Sequence, residues 1–221
     1  MKMSLFLLIG GFLLVSCQPK KADQASAQAK AQQSEVPKDY DISKWDEVSL
    51  QDGVVLDLRY ASKDNFVGKK IYPCARCFLH PVLAQKVKSL QKDIAERYGW
   101  SLKIFDCYRP RPAQERLWAI KPDPNYVTDP KLGSMHNRGL AIDLTLVNED
   151  GIEMDMGTPF DFFGKEAHSD YPHSSSEVKK NRKILRKLME LHGLKGIRTE
   201  WWHYSLQSIT SPLSDWEWDC K

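Results

Sequence analysis

Four residues in two separate stretches could carry chemistry together. Gly133–Leu146 reads G-S-M-H-N-R-G-L-A-I-D-L-T-L and contains His136 and Asp143. Thr199–Tyr204 reads T-E-W-W-H-Y and contains Glu200 and His203. Two imidazoles and a carboxylate are a usual three-ligand set for a catalytic zinc, one that leaves a fourth position open. A carboxylate three residues before a ligand is a usual place for the base that works beside such a metal. Each signal taken alone is modest. An Asp inside the β-prone run L-A-I-D-L-T-L is costly unless it is paired or bound to a cation, and pairing with backbone or an arginine would satisfy it without any metal. In a regular strand, residues three apart face opposite sides. Glu200 and His203 would therefore need a bulge, or a place at the strand's end, to aim at one ion.

The conjunction is more specific than its parts. S-x-H-x-x-G-x-A-x-D followed by E-W-W-H resembles the D-alanyl-D-alanine dipeptidases of the vancomycin-resistance type, within the LAS group of zinc peptidases. Leu58–Phe66 (L-R-Y-A-S-K-D-N-F), Asp106–Pro110 (D-C-Y-R-P), Met156–Phe162 (M-G-T-P-F-D-F) and Asn181–Arg182 look like further landmarks of that family, in its order, over about residues 45–210. The resemblance implies one zinc per chain, held by His136, Asp143 and His203, with Glu200 as the catalytic base. It implies that Arg109 stabilises the transition state, and that Ser134, Tyr60 and Asp161 line the substrate pocket. Cys107 departs from the family, which often has Gly before Tyr-Arg-Pro. Met135 stands where relatives often have Ser.

The elements that must position these residues can be read in outline. Leu140–Leu146 reads as a mostly buried strand, and Asn137-Arg138-Gly139 as a turn that folds His136 back toward its start. Thr199–Leu206, extended back to Ile197, reads as the last main strand. Val54–Leu58 reads as a first strand and Ser101–Cys107 as a central one, ending at Tyr108-Arg109-Pro110. Pro81–Tyr98 predicts a helix: Leu83, Val87, Leu90 and Ile94 make one apolar stripe, with Pro81 in the first turn and Gly99 at the end. Arg111–Ile120 predicts a short helix with Trp118 in the core. Ser174–Glu177 has capping-box spacing and opens a second long helix ending near His192-Gly193, with Ile184, Leu185, Leu188, Met189 and Leu191 on its buried face. Asn148–Gly151 is a turn, which makes a hairpin of the strand before it and the segment after. His80, His168, His173 and His192 are better read as loop, cap or surface residues than as ligands. The expected fold class is α+β, a small central antiparallel sheet flanked by helices with the metal in a cleft.

The N-terminus has a separate logic. Lys2 and the apolar run Leu5–Val15, followed by L-V-S-C, resemble a bacterial lipoprotein signal in residues 1–17, with Cys17 acylated and anchoring the chain to a membrane. Gln18 after the Cys resembles an outer-membrane lipoprotein. Residues 18–38 are rich in Ala, Gln, Lys and Ser and predict a disordered tether; the domain is then 39–221. An exported chain favours disulfides. Cys74, Cys77, Cys107 and Cys220 allow three pairings, of which Cys74–Cys77 with Cys107–Cys220 is the expected one. The formal charge of +3 argues against a nucleic-acid partner, and no obligate protein partner is predicted.

Three readings follow. The first is a zinc dipeptidase that hydrolyses D-Ala-D-Ala, with Asp161 and Tyr60 toward the substrate amine and Ser134 toward its carboxylate. The second is a zinc D,D-carboxypeptidase or endopeptidase acting on peptidoglycan stems, with the same metal site and a more open cleft. The third is a recognition module that does not hydrolyse, for which neither Glu200 nor Arg109 would be needed. An exported enzyme cannot intercept D-Ala-D-Ala in the cytoplasm, so scavenging of wall-derived dipeptide fits the first reading better than depletion of wall precursor.

Overall fold

The computed structural model describes residues 45–124 and 126–220. The expected signal, the acylated Cys17 and the tether at 18–38 lie outside the described residues. Among the described residues, no helix is long and apolar enough to cross a membrane.

Sequence punctuation helps set the three α-helices of the described residues. Helix α1 spans Pro81–Tyr98: the His80 ring accepts from the Val82 amide, Pro81 takes the first turn, and Gly99 ends the helix in the left-handed region at φ 68. Its stripe of Leu83, Val87, Leu90 and Ile94 is fully buried. Helix α2 spans Arg111–Ile120 and buries Ala113, Gln114 and Leu117. Trp118, expected in the core, is only half-buried at the margin. Helix α3 spans Ser176–Leu191. Its cap is Ser175, which accepts from the Val178 amide at 3.1 Å, so the cap lies one residue after the serine that the S-x-x-E spacing pointed to. Leu185, Leu188 and Met189 face the core, while Leu191 is exposed because the helix ends there.

Among the described residues, seven short strands form two sheets. β1 (Asp46–Val48) pairs antiparallel with β3 (Cys77–Leu79). The main sheet has the order β2 (Val55–Leu56), β4 (Ser101–Asp106), β5 (Ala141–Val147), β7 (His203–Ser205), β6 (Lys195–Gly196). β2 runs parallel to β4, whereas the β4–β5, β5–β7 and β7–β6 pairings are antiparallel. The expected antiparallel sheet thus holds except at one edge. β5 is the central strand and all seven of its residues are buried. Leu140, Ile142, Leu144 and Leu146 share one core with the stripe of α1 and with Leu185, Leu188 and Met189 of α3. The strand turns at Asn148, whose Oδ1 accepts from the Asp150 and Ile152 amides, and comes back as far as a Val147–Glu153 bridge.

Two sequence expectations fail here. Ile197–Leu206 is not one strand: β6 and β7 are separated by a six-residue connection, 197–202. The disulfides join Cys74 to Cys220 and Cys77 to Cys107, not the expected partners. Backbone pairing explains the exchange. The Tyr108 amide donates to the Phe78 carbonyl at 2.8 Å, which sets Cys107 beside Cys77 at the head of β3. Arg76 meanwhile grips Glu47 and donates to the Asp219 carbonyl, which brings the tail and Cys220 to Cys74.

Candidate metal centre

Strand register lines up the first carboxylates and imidazole. Asp106 on β4 is opposite Asp143 on β5, which is opposite His203 on β7. The β4–β5 register shifts between Ile104 and Asp106, and that irregularity brings Asp106 into the row. His136 enters from the side. It begins a single 3-10 turn, His136–Arg138, which Gly139 closes at φ 64 so that Leu140 can start β5. The turn does what the sequence suggested.

Three atoms then converge. His136 Nε2, Asp143 Oδ1 and His203 Nδ1 are 3.0 to 3.3 Å from one another. In tetrahedral coordination at about 2.0–2.1 Å, neighbouring ligand atoms are roughly 3.3 Å apart. The residues present therefore fit a zinc ion in both donor chemistry and spacing. They are the only such group of His, Cys, Asp or Glu among the described residues. The far nitrogen of His136, Nδ1, is 2.7 Å from the Cys107 carbonyl. Donation to that oxygen fixes the tautomer and leaves Nε2 free to bind a cation. Burial works to raise the Asp143 carboxyl, yet His136 and His203 beside it hold it well below the usual carboxylate range. Burial works to lower His136, and Asp143 outweighs it and lifts the imidazole. The three groups thus favour positive charge between them.

Glu200 lies in the 197–202 connection, not in a strand. Trp201 and Trp202 are buried and anchor that connection: the Trp201 indole donates to Thr158 Oγ1, and the Trp202 carbonyl accepts from the Leu144 amide. The alternation rule therefore does not apply, and a Glu200 oxygen stands 3.9 Å from His203 Nδ1. Burial raises the Glu200 carboxyl, and Asp143 adds to the rise while His203 opposes it.

Arg109 follows β4 and is buried. Its Nε and Nη2 donate to Asp106 Oδ2 at 3.1 and 2.6 Å, and its Nη1 donates to Gln114 at 2.9 Å. Its guanidinium lies 5.0 Å from the centre of the Tyr60 ring. The guanidinium so held also lines the cleft. Asp106 also accepts from the Tyr72 hydroxyl at 2.6 Å and the Cys107 amide at 2.9 Å, which makes it the hub of the site. Asn137 ties the two halves together by donating to the Arg109 carbonyl and accepting from the Ser134 amide. Neither Asp106, Gln114 nor Asn137 was singled out from the sequence. Asp106 carried a usable signal, an acid ending the apolar run S-L-K-I-F, which is the same argument that exposed Asp143.

Tyr60, Arg109, Ser134, His136, Asp143, Asp161, Glu200 and His203 all line one cleft of about 330 Å³. That is near the low end of small-molecule sites, which run from roughly 300 to 1,000 Å³. Apolar walls come from Phe66, Val127, Met135, Phe163 and Trp202. The Tyr60 hydroxyl donates to Asp161 at 2.8 Å, so it is committed to that carboxyl. Burial raises the Asp161 carboxyl well above its ordinary range, with the nearby Asp143 charge adding to it. Asp161 also has φ 59, a left-handed backbone that side-chain-bearing residues seldom adopt. His168 and His173 are not in the cluster.

The comparisons agree with one another. A family model described as D-ala-D-ala dipeptidase matches residues 43–215. A D-alanyl-D-alanine dipeptidase of Escherichia coli (strain K12) is 42% identical over 167 residues, covering 75% of this chain and 86% of that protein. Proteins of the same name from Enterococcus faecalis (strain ATCC 700802 / V583) and Enterococcus faecium are 34% and 33% identical, each over about three quarters of this chain and 90% or more of their own length.

Proposed function

The chain belongs to the D-ala-D-ala dipeptidase family, and from that premise we propose that it is a zinc-dependent dipeptidase that hydrolyses D-Ala-D-Ala to two D-Ala. The observation that carries this reading is the triangle of His136, Asp143 and His203, with Glu200 and Arg109 on the same small cleft. His136 Nε2, Asp143 Oδ1 and His203 Nδ1 would hold the ion. Zinc in that position supplies Lewis acidity, lowering the pKa of a water toward neutral and polarising a carbonyl.

The chain's own residues do the rest. Glu200 takes a proton from the attacking water on its carboxylate and then delivers it to the leaving amine. Its raised pKa suits a group that must hold a proton between the two steps. Arg109 presents its guanidinium to the oxygen on which negative charge grows, and Asp106 and Gln114 keep it from swinging away. Asp161, a half-buried carboxyl with no ion-pair partner among the described residues, is the natural partner of the substrate ammonium; Tyr60 orients it. Ser134 is placed for the substrate carboxylate. The apolar walls exclude bulk water, and the small volume favours a dipeptide over a wall stem.

We further infer export with Cys17 as a lipid anchor. Two disulfides among the described residues support an oxidising compartment.

The test uses the zinc-loaded protein with D-Ala-D-Ala, N-acetyl-D-Ala-D-Ala and a stem pentapeptide, each with and without chelator. Release of D-Ala from the free dipeptide alone, abolished by chelator, is the expected result. Cleavage of the blocked or longer substrates would reassign the protein to the wall carboxypeptidases.

A further inference from the structure

We propose that the protein carries a second binding site, for a phosphate-type oxyanion, in a pocket between α3 and β7. The pocket has a volume of about 130 Å³. Lys179, Arg182, Lys183 and Arg186 line it, and no Asp or Glu does. The spacing of the four is that of one helix face. None of them forms an ion pair with a carboxylate among the described residues. Lys179 donates to the Pro172 carbonyl at 2.6 Å and Arg186 to Ser169 Oγ at 2.9 Å. Arg182 is buried, and it donates to three backbone carbonyls, those of Met156, Glu166 and His168. Four cations close together repel one another unless a negative charge stands between them. Asp155 acts electrostatically on Arg182 and Glu190 on Tyr204, and neither lines the pocket.

The independent observation is Tyr204. It is 3% exposed and lines the pocket, yet its hydroxyl has no hydrogen-bond partner among the described residues. The ring is buried while the hydroxyl opens onto the pocket, a donor free to meet a ligand there. An oxyanion in the pocket would accept from that hydroxyl and from Arg186 and Lys183 together, which are the strong, charge-assisted bonds that arginine-lined sites give to phosphate. Burial lifts the Tyr204 phenol, so the group stays a donor. Successive residues of a strand point to opposite faces. His203 therefore looks toward the metal cluster and Tyr204 away from it, which makes this a separate site and not an extension of the cleft.

The test is calorimetric titration of the zinc-loaded protein with inorganic phosphate at fixed ionic strength, and in a second arm with glycerol 3-phosphate, which distinguishes a free from an esterified ligand. Saturable binding in either arm is expected. Arg186→Gln and Lys183→Gln, both on the surface of α3, should each weaken it roughly tenfold or more, and Tyr204→Phe should do the same. Arg186→Gln should leave D-Ala-D-Ala hydrolysis unchanged. Two results overturn the proposal: acetate binding as well as phosphate, which would show general charge screening, or undiminished phosphate binding in Arg186→Gln, which would place the anion at the metal instead. Neither result bears on the dipeptidase reading.

Discussion

Asp161 is a half-buried carboxyl set near a second carboxylate, and holding it there has a consequence for pH. Its pKa is raised in the folded protein, first by burial and then by Asp143, against about 3.9 in an unfolded chain. Between the two values the folded state binds more protons than the unfolded state, so stability falls as pH rises through that window. Asp161→Asn removes this slope while keeping an acceptor for Tyr60. The metal-free variant should melt higher than the metal-free wild type at pH 7 and no higher near pH 3.5, while losing activity because the substrate ammonium has no counter-charge. Equal melting temperatures at both pH values would show that Asp161 is not held against its preference. Glu200→Gln addresses the chemistry directly. It should keep one zinc per chain by metal analysis and lose about 10²–10⁴ in turnover; a variant that stays active would remove Glu200 from the proton path. Arg109→Ala should lower the maximal rate, because its guanidinium meets charge that exists only in the transition state, and a change confined to the Michaelis constant would make it a ground-state binder. These roles rest on residues the sequence already offered. What the sequence hid is the support beneath them. Asp106 binds Tyr72, Cys107 and Arg109 at once, and nothing in a linear string tells which of several strand-end acids will be so placed.

The elements carry these residues with very different legibility. Helix α1 begins at Pro81 and ends at Gly99, and α2 begins at Pro110 and Pro112, because proline and glycine constrain backbone angles locally and need no tertiary partner to do so. Strand β5 was legible for a similar reason, its unbroken apolar run. The 197–206 segment was not. Its aromatic, β-favouring residues look like a ladder, but Trp201 and Trp202 bury themselves singly and leave 197–202 as a connection. That failure matters, since the connection is what lets Glu200 and His203 meet. The disulfides were hidden too, being set by the contact of Tyr108 with Phe78 across sheets. Their exchange gives the Cys77–Cys107 bridge a place beside the metal cluster: it pins the residue whose carbonyl holds His136. Supports of this kind typically alter metal affinity about 10- to 100-fold. Cys77→Ser with Cys107→Ser should therefore weaken zinc binding by roughly tenfold. Cys74→Ser with Cys220→Ser, far from the cluster in its contacts, should cost stability and leave zinc affinity alone. Equal zinc affinity in the two double variants would make both bridges merely structural.

At the scale of the whole molecule, the Cys74–Cys220 bridge spans 146 residues and closes nearly all of the described chain into one loop. Around it the tail is held by several weaker ties: Arg111 to Asp215, Arg116 to Glu217, the Tyr108 hydroxyl to the Trp216 carbonyl, and Trp218 buried against Tyr72 and Phe78. The two ion pairs are exposed and contribute little alone. The aromatic contacts and the bridge do more, and removal of a native disulfide from a domain of this kind typically costs about 2–5 kcal/mol. Disulfides persist mainly where thiols are oxidised, and the two bridges support the export proposed from L-V-S-C at Cys17. The two ideas separate cleanly by experiment. Expressed from its full sequence, the protein should partition with membranes, and Cys17→Ala should release it to the soluble fraction of the envelope with its disulfides and its specific activity intact, because Cys17 is neither one of the cleft residues nor one of the paired cysteines. Retention on the membrane after the substitution would make the anchor something other than the Cys17 thiol. A soluble protein with reduced cysteines in both forms would remove export itself, and with it the argument that the substrate is dipeptide released from the wall.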